Sequence, residues 1–201
     1  MKVLGIHGSP RKKGNSALLL TRCLEGAAAA GAEVRTVKVA GMKIAGCLEC
    51  GGCDETGECV VKDEMQEVYP LIVEAHRIVI AAPIFFYGFP AQLKALIDRG
   101  QALWSRRRLV KSAAQRKSHD SGRGYLIAVG ATRGQNLFDG CELVARYFYD
   151  AADMDYQGGL FFRQVDKKGA ISEVPGALDQ TYELGKRLVQ DKKKQDKGAE
   201  Q

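Results

Sequence analysis

Gly8-Ser9-Pro10-Arg11-Lys12-Lys13-Gly14-Asn15-Ser16 follows a short apolar run, Val3 to Ile6. It precedes apolar residues at helical spacing, Ala17, Leu18, Leu20, Cys23 and Leu24. Strand, glycine-bounded loop and helix in that order make an anion site. The N–H groups at a helix N-terminus have no intrahelical partner and suit a phosphate. Ser9, Asn15 and Ser16 supply hydroxyl and amide donors, and Asn15 or Ser16 also suits the helix cap. Arg11 adds a planar charged fork matched to phosphate oxygens. The loop has neither the G-x-x-x-x-G-K-[ST] pattern of a nucleotide P-loop nor the G-x-G-x-x-G dinucleotide fingerprint. The competing reading is a basic surface loop with a helix cap.

Outward from this loop, strands and helices alternate. Gly31 suits the stop of the first helix, and Val34 to Val39 alternates like a strand. A Gly- and Cys-rich loop, 41–62, follows. The spacing then predicts a helix from Asp63 to about Ala75, a strand buried on both faces from Ile78 to Ala82, and a helix after Pro90. Tyr125 to Val129 reads as a strand, Asn136 to Ala152 as a helix, Met154 to Phe162 as the last strand and Gly176 to Val189 as the last helix. This is an α/β pattern. It predicts a flavodoxin-like three-layer sandwich with a five-stranded parallel sheet in the order 2-1-3-4-5. The cysteine loop is an insertion before strand 3. In that order a ligand sits at the carboxyl ends of strands 1 and 3, where the winding reverses. One domain is expected over 1–189, followed by a charged, disordered tail over 190–201.

The chain has 201 residues, 45% of them hydrophobic and 27% charged, as in an ordinary globular protein. No apolar run nears the ~20 residues that span a bilayer. The N-terminus enters a strand without a basic-then-apolar leader. Both point to a cytoplasmic protein with no membrane partner. The net charge is +6. The segment 105–123 carries Arg106, Arg107, Arg108, Lys111, Arg116, Lys117 and Arg123 against Asp120 alone, a surplus equal to that of the whole chain. It reads as a basic loop, solvated or docking an acidic partner. No nucleic-acid reader accompanies it, which argues against nucleic acid.

Six cysteines are present. Cys23 and Cys141 fall in helical patterns and read as core. Cys47, Cys50, Cys53 and Cys59 are spaced C-x2-C-x2-C-x5-C with Gly51 and Gly52 among them. Thiolates this close on a turning loop suit an iron–sulfur cube, and ferredoxin-type runs open with the same spacing. Structural zinc prefers two separated knuckles. Disulfides are disfavoured in a reducing compartment, and a redox thiol pair needs only two cysteines. These three remain as alternatives. His7, His76 and His119 are scattered without metal-ligand spacing and receive no role.

The loop Gly8 to Ser16 resembles that of the NADPH-dependent FMN reductase group of the flavodoxin-like superfamily. A second shared segment is Ala82-Pro83-Ile84-Phe85-Phe86-Tyr87-Gly88, followed by Pro90, Gln92, Lys94 and Asp98-Arg99. The resemblance implies FMN as cofactor. Its phosphate would lie against Ser9, Arg11, Lys13, Asn15 and Ser16, and its ring on Pro83, Ile84, Phe85, Phe86, Tyr87 and Gly88. A third, less specific loop contributes Gly130, Ala131 and Thr132. Core packing is the other reading of Phe85, Phe86 and Tyr87. With the four-cysteine run, the chain resembles the iron–sulfur flavoproteins. That resemblance implies a four-iron four-sulfur cluster on Cys47, Cys50, Cys53 and Cys59, and a homodimer or homotetramer. It implies electron flow from ferredoxin through the cluster to FMN and on to oxygen, peroxide or a quinone. The alternative is an NAD(P)H-dependent FMN or quinone reductase without a working cluster. Either way the cofactors carry the chemistry and no catalytic side chain is expected.

Overall fold

The computed structural model describes residues 1–191. Five parallel strands, β1 (Lys2–His7), β2 (Glu33–Lys38), β3 (Arg77–Pro83), β4 (Gly122–Val129) and β5 (Met154–Phe162), pair in the order β2-β1-β3-β4-β5. This is the expected flavodoxin-like order. Ile78, Ile80 and Ala82 of β3 face one apolar layer, and Val79 and Ala81 face the other. A strand sandwiched this way must be apolar at every position, which is why it reads as an unbroken run. The edge strand β2 instead exposes Glu33, Arg35, Thr36 and Lys38, charges that discourage further strand pairing.

α1 (Asn15–Ala29) and α6 (Ala177–Gln190) cover one face. They cross at two glycines. A Cβ on Gly26 would lie 2.1 Å from the Tyr182 carbonyl oxygen, and one on Gly185 would lie 1.9 Å from that of Cys23. The other face carries α2 (Met65–Glu74), α3 (Ala91–Asp98) and α5 (Asp139–Ala151), with α4 (Gln101–Val110) beside α5. Gln190 closes α6 rather than opening a tail. The rest of the expected tail, 192–201, lies outside the described residues.

The basic loop expected over 105–123 is corrected. Its first part is the second half of α4, which turns Ser105 and Arg107 inward. Arg107 is buried because acceptors from beyond the segment surround it. Nε donates to Asp153 Oδ1 at 2.9 Å and Nη1 to Asp150 Oδ1 at 2.8 Å. Nη2 donates to the carbonyls of Arg116 and Ser118. Lys111 pairs with Asp120 and Asp153. Local charge counting missed Asp150 and Asp153 because α5 and the turn after it lie some forty residues on.

Candidate functional site

Where β1, β3 and β4 end, one small cavity of about 90 Å³ gathers residues from four loops. Ser9, Arg11, Gly14, Asn15 and Ser16 line it from the first loop, Pro83, Ile84 and Phe85 from the second, and Ala131 from the third. Val165 and Asp166, after β5, complete it; no motif in the sequence marked them. The cavity has room for a phosphate and not for a whole flavin, so the ring would lie outside, toward the exposed loops. Lys13, Phe86, Tyr87, Gly88, Gly130 and Thr132 do not line it.

The helix end is built for an anion. α1 has no side-chain cap and no acid in its first turn, so no group of its own offsets the partial positive charge there. Gly14 accepts from Ala17 and Leu18. The Ser9 hydroxyl accepts from the Arg11 N–H at 3.2 Å and shapes the turn. The Asn15 side chain is spent differently. Its Nδ2 donates to the Lys167 carbonyl at 3.0 Å, and its Oδ1 accepts from the Ile171 N–H at 3.3 Å. It braces the loop after β5 that carries Val165 and Asp166. Arg11 stays exposed, with one long contact to the Asp166 carbonyl.

Phe85 and Gly88 exchange backbone hydrogen bonds, both at 2.9 Å, and close a two-residue hairpin. Its tip residues, Phe86 (φ 49°) and Tyr87 (φ 62°), are both left-handed. That suits the hairpin, whose tightest turns require positive φ at both positions, but costs a bulky side chain about 1–2 kcal/mol each. Phe86 is fully exposed and Tyr87 half exposed, so neither packs in the core. Tyr87 leans on the third loop. A Cβ on Gly134 would meet its hydroxyl at 2.4 Å. The strained tip presents Phe86 and Tyr87 to solvent rather than to the core.

The four cysteines sit on the stretch 42–64, which has no helix or strand. All are free thiols. All four line one cavity of about 600 Å³, together with Val60, Val61, Arg99 and Ala102. The loop is tied to its surroundings by side chains. Cys53 Sγ lies 3.6 Å from Ser105 Oγ, which donates to Asp54. Gln66 Nε2 donates to the carbonyls of Cys59 and Val61. Among the described residues no three His, Cys, Asp or Glu are grouped closely enough to hold a metal ion. Four thiolates are the donor set that an iron–sulfur cube takes, and all four belong to the wall of one cavity. Cys23 and Cys141 are core residues, their thiols pushed up to about 12 by burial.

Sequence reasoning missed Arg99 and Asp63 as parts of this site. Arg99 Nη1 and Nη2 reach Asp63 Oδ2 and Oδ1 at 2.7 and 3.2 Å. Burial opposes the Asp63 charge, but the Arg99 hydrogen bond and the N–H groups of Ala45 and Met65 hold its pKa below the ordinary value. Their pairing spans 36 residues and has no local signal. His7, buried at the end of β1, has its pKa lowered by burial and by Lys38. His119 Nε2 lies 2.8 Å from Asp150 Oδ1, in the network around Arg107.

Residues 1–137 match the family described as NADPH-dependent FMN reductase. An iron-sulfur flavoprotein of Methanosarcina thermophila is 36% identical over 133 residues, 66% of this chain and 65% of its own length. One from Methanocaldococcus jannaschii is 36% identical over 151 residues, 75% of this chain and 70% of its own. The match covers 65%, 53% and 45% of the length of three such relatives. The NAD(P)H:quinone oxidoreductase from Methanothermobacter marburgensis superposes with a TM-score of 0.70 at 16% identity, covering 94% of this chain and 96% of that one. An FMN-dependent NADH-azoreductase from Bacillus anthracis gives 0.62 at 13%, covering 94% and 100%. At such identities the superpositions speak for the fold. No helix among the described residues is long and apolar enough to cross a membrane.

Proposed function

The chain belongs to the NADPH-dependent FMN reductase family and, within it, to the iron–sulfur flavoproteins, and on that premise we propose that its cysteine loop holds a four-iron four-sulfur cluster that serves the flavin. The protein is a flavin-dependent oxidoreductase. When bound, the cluster supplies one-electron transfer and FMN couples it to two-electron chemistry, linking ferredoxin to a small acceptor such as oxygen, peroxide or a quinone. The observation that carries this reading is the single hollow onto which all four free thiols open.

The chain's own residues bind, orient and tune. The first turn of α1 and Arg11 hold the phosphate, with Ser9 and Ser16 as hydroxyl donors. Asn15 keeps the wall of Val165 and Asp166 in place. Phe85, Phe86 and Tyr87 offer the ring its aromatic and backbone surface, with Pro83, Ile84 and Gly88 at the base. Gly130, Ala131 and Thr132 flank it. Cys47, Cys50, Cys53 and Cys59 are the cluster ligands. Ferredoxin docking falls to the exposed Arg106, Arg108 and Lys117, since Arg107 and Lys111 are committed within the fold. Exposed Leu109, Val110, Leu143 and Tyr147 on α4 and α5 support assembly as a homodimer or homotetramer.

Anaerobic reconstitution with iron, sulfide and FMN tests the reading. The expected product is brown, with about four irons and one flavin per chain. A colourless product overturns it. The family's description favours a second reading, direct reduction by NADPH. Rapid NADPH oxidation without ferredoxin would put that reading first.

A further inference from the structure

Arg99 follows α3, and its side chain is 1% exposed. Nη1 donates to the Ala45 carbonyl at 3.1 Å and Nη2 to the Val61 carbonyl at 3.2 Å, while both grip Asp63. Ala45 lies just before Cys47, and Val61 just after Cys59. One guanidinium therefore holds both ends of the four-cysteine run. Asp63 repeats the grip by accepting from the Ala45 N–H at 2.9 Å. Tyr69 secures the arginine from behind, its hydroxyl donating to the Arg99 carbonyl at 2.9 Å.

The third nitrogen is different. Arg99 Nε is buried and has no partner among the protein atoms. A buried charged donor left without an acceptor costs more than a neutral one. Yet Arg99 walls the cavity onto which Cys47, Cys50, Cys53 and Cys59 open. Asp63 is absent from that wall, so of the ion pair the arginine is the residue that borders the hollow. The other charged residues of the wall, Glu49, Asp54 and Asp98, are exposed to water, which screens them. Arg99 is the buried charge there.

We infer that Arg99 is a positioning residue for the cysteine-held cluster, spanning the loop with its two amino groups and reserving its Nε–H and charge for a cluster sulfur, which raises the cluster's reduction potential. The inference rests on the cluster reading proposed above. One-electron reduction adds a negative charge without breaking a bond. A cation and a hydrogen bond at the sulfurs stabilise that state more than the oxidised one.

Arg99→Gln and Arg99→Lys are reconstituted anaerobically beside the parent protein, and each cluster potential is read by dithionite titration. Arg99→Gln lowers the equilibrium constant for one-electron reduction about tenfold, a shift of about 59 mV. Arg99→Lys, which keeps charge but loses Nε–H, shifts less in the same direction. Asp63→Asn, which strips the counter-charge, shifts the other way. Loss of iron with flavin content and far-UV circular dichroism intact also supports the inference, as failure of the span. An unchanged potential at full iron content in Arg99→Gln overturns it, as does a lowered potential in Asp63→Asn. Joint loss of iron, flavin and secondary structure overturns it too, because Arg99 would then serve the core alone. A parent protein without iron after reconstitution removes the cluster reading itself, a result distinct from all of these.

Discussion

The pocket beside the first loop is walled by the ends of β1, β3 and β4, the first turn of α1 and the loop after β5, whereas the cysteine cavity is walled largely by a stretch, 42–64, with no helix or strand. In the first, the sheet's hydrogen bonds hold most of the walls, with Asn15 bracing the loop after β5, and the helix N-terminus offers backbone donors beside the side chains of Ser9, Arg11 and Ser16. In the second, the walls hold together through side chains: Arg99 with Asp63, Gln66 with two carbonyls, Ser105 with Asp54 and Cys53. A site made of backbone tolerates side-chain change and stands before its ligand arrives. A site made of side chains depends on a few pairings, each costly to break.

The largest effect expected is on cluster ligation. Serine at Cys47, Cys50, Cys53 or Cys59 leaves iron at about a tenth of the parent level or less, while flavin content is unchanged, as read by iron and flavin analysis. Loss of flavin together with iron would break the comparison, because the two sites would then stand or fall together. Next comes the ion pair. Asp63→Ala leaves a buried guanidinium unpaired and costs about 3–5 kcal/mol in urea unfolding at neutral pH. The sign with pH follows from the lowered Asp63 pKa. Its contribution is full above the unfolded value near 3.8 and disappears as pH falls through the lower folded value. The gap between parent and variant therefore closes only in strong acid. A gap that closed near neutrality would be inconsistent with this account.

Arg11→Ala addresses the backbone-built pocket. It weakens FMN binding by about 1.5–3 kcal/mol, the worth of a charge-assisted hydrogen bond, and leaves iron content and Tm alone. Titration calorimetry on apoprotein reads it. The smallest effect sharpens the strain argument. Phe86→Gly relieves one left-handed non-glycine residue and stabilises the flavin-free protein by about 1 kcal/mol, while FMN affinity falls. If affinity and stability moved together, Phe86 would be packing rather than platform.

Much of the first site was legible because its signals are local. A buried strand, a Gly-bounded basic loop and a helix are neighbours in sequence, and parallel pairing with right-handed crossovers fixes where they meet. The strand order followed from the alternation of apolar runs and amphipathic helices. The exposed hairpin was less legible, since Phe85, Phe86 and Tyr87 had core packing as an alternative reading; their exposure decides against it. The basic run was misread for the opposite reason. Arg107 looks solvated among its neighbours and is buried only because Asp150 and Asp153 arrive from α5 and its end.

From the sequence alone came the flavodoxin-like α/β order, the glycine-bounded loop Gly8 to Ser16 and the four clustered thiols, since each is written in residues a few positions apart. Only the tertiary structure brought Val165 and Asp166 to the cavity beside that loop, turned Asn15 away to brace them, and set Arg99 and Asp63 at the base of the cysteine loop. Those groups are separated along the chain by 36 to more than 150 residues. Their pairing energy exists only after the sheet has closed the distance, so no local pattern records it.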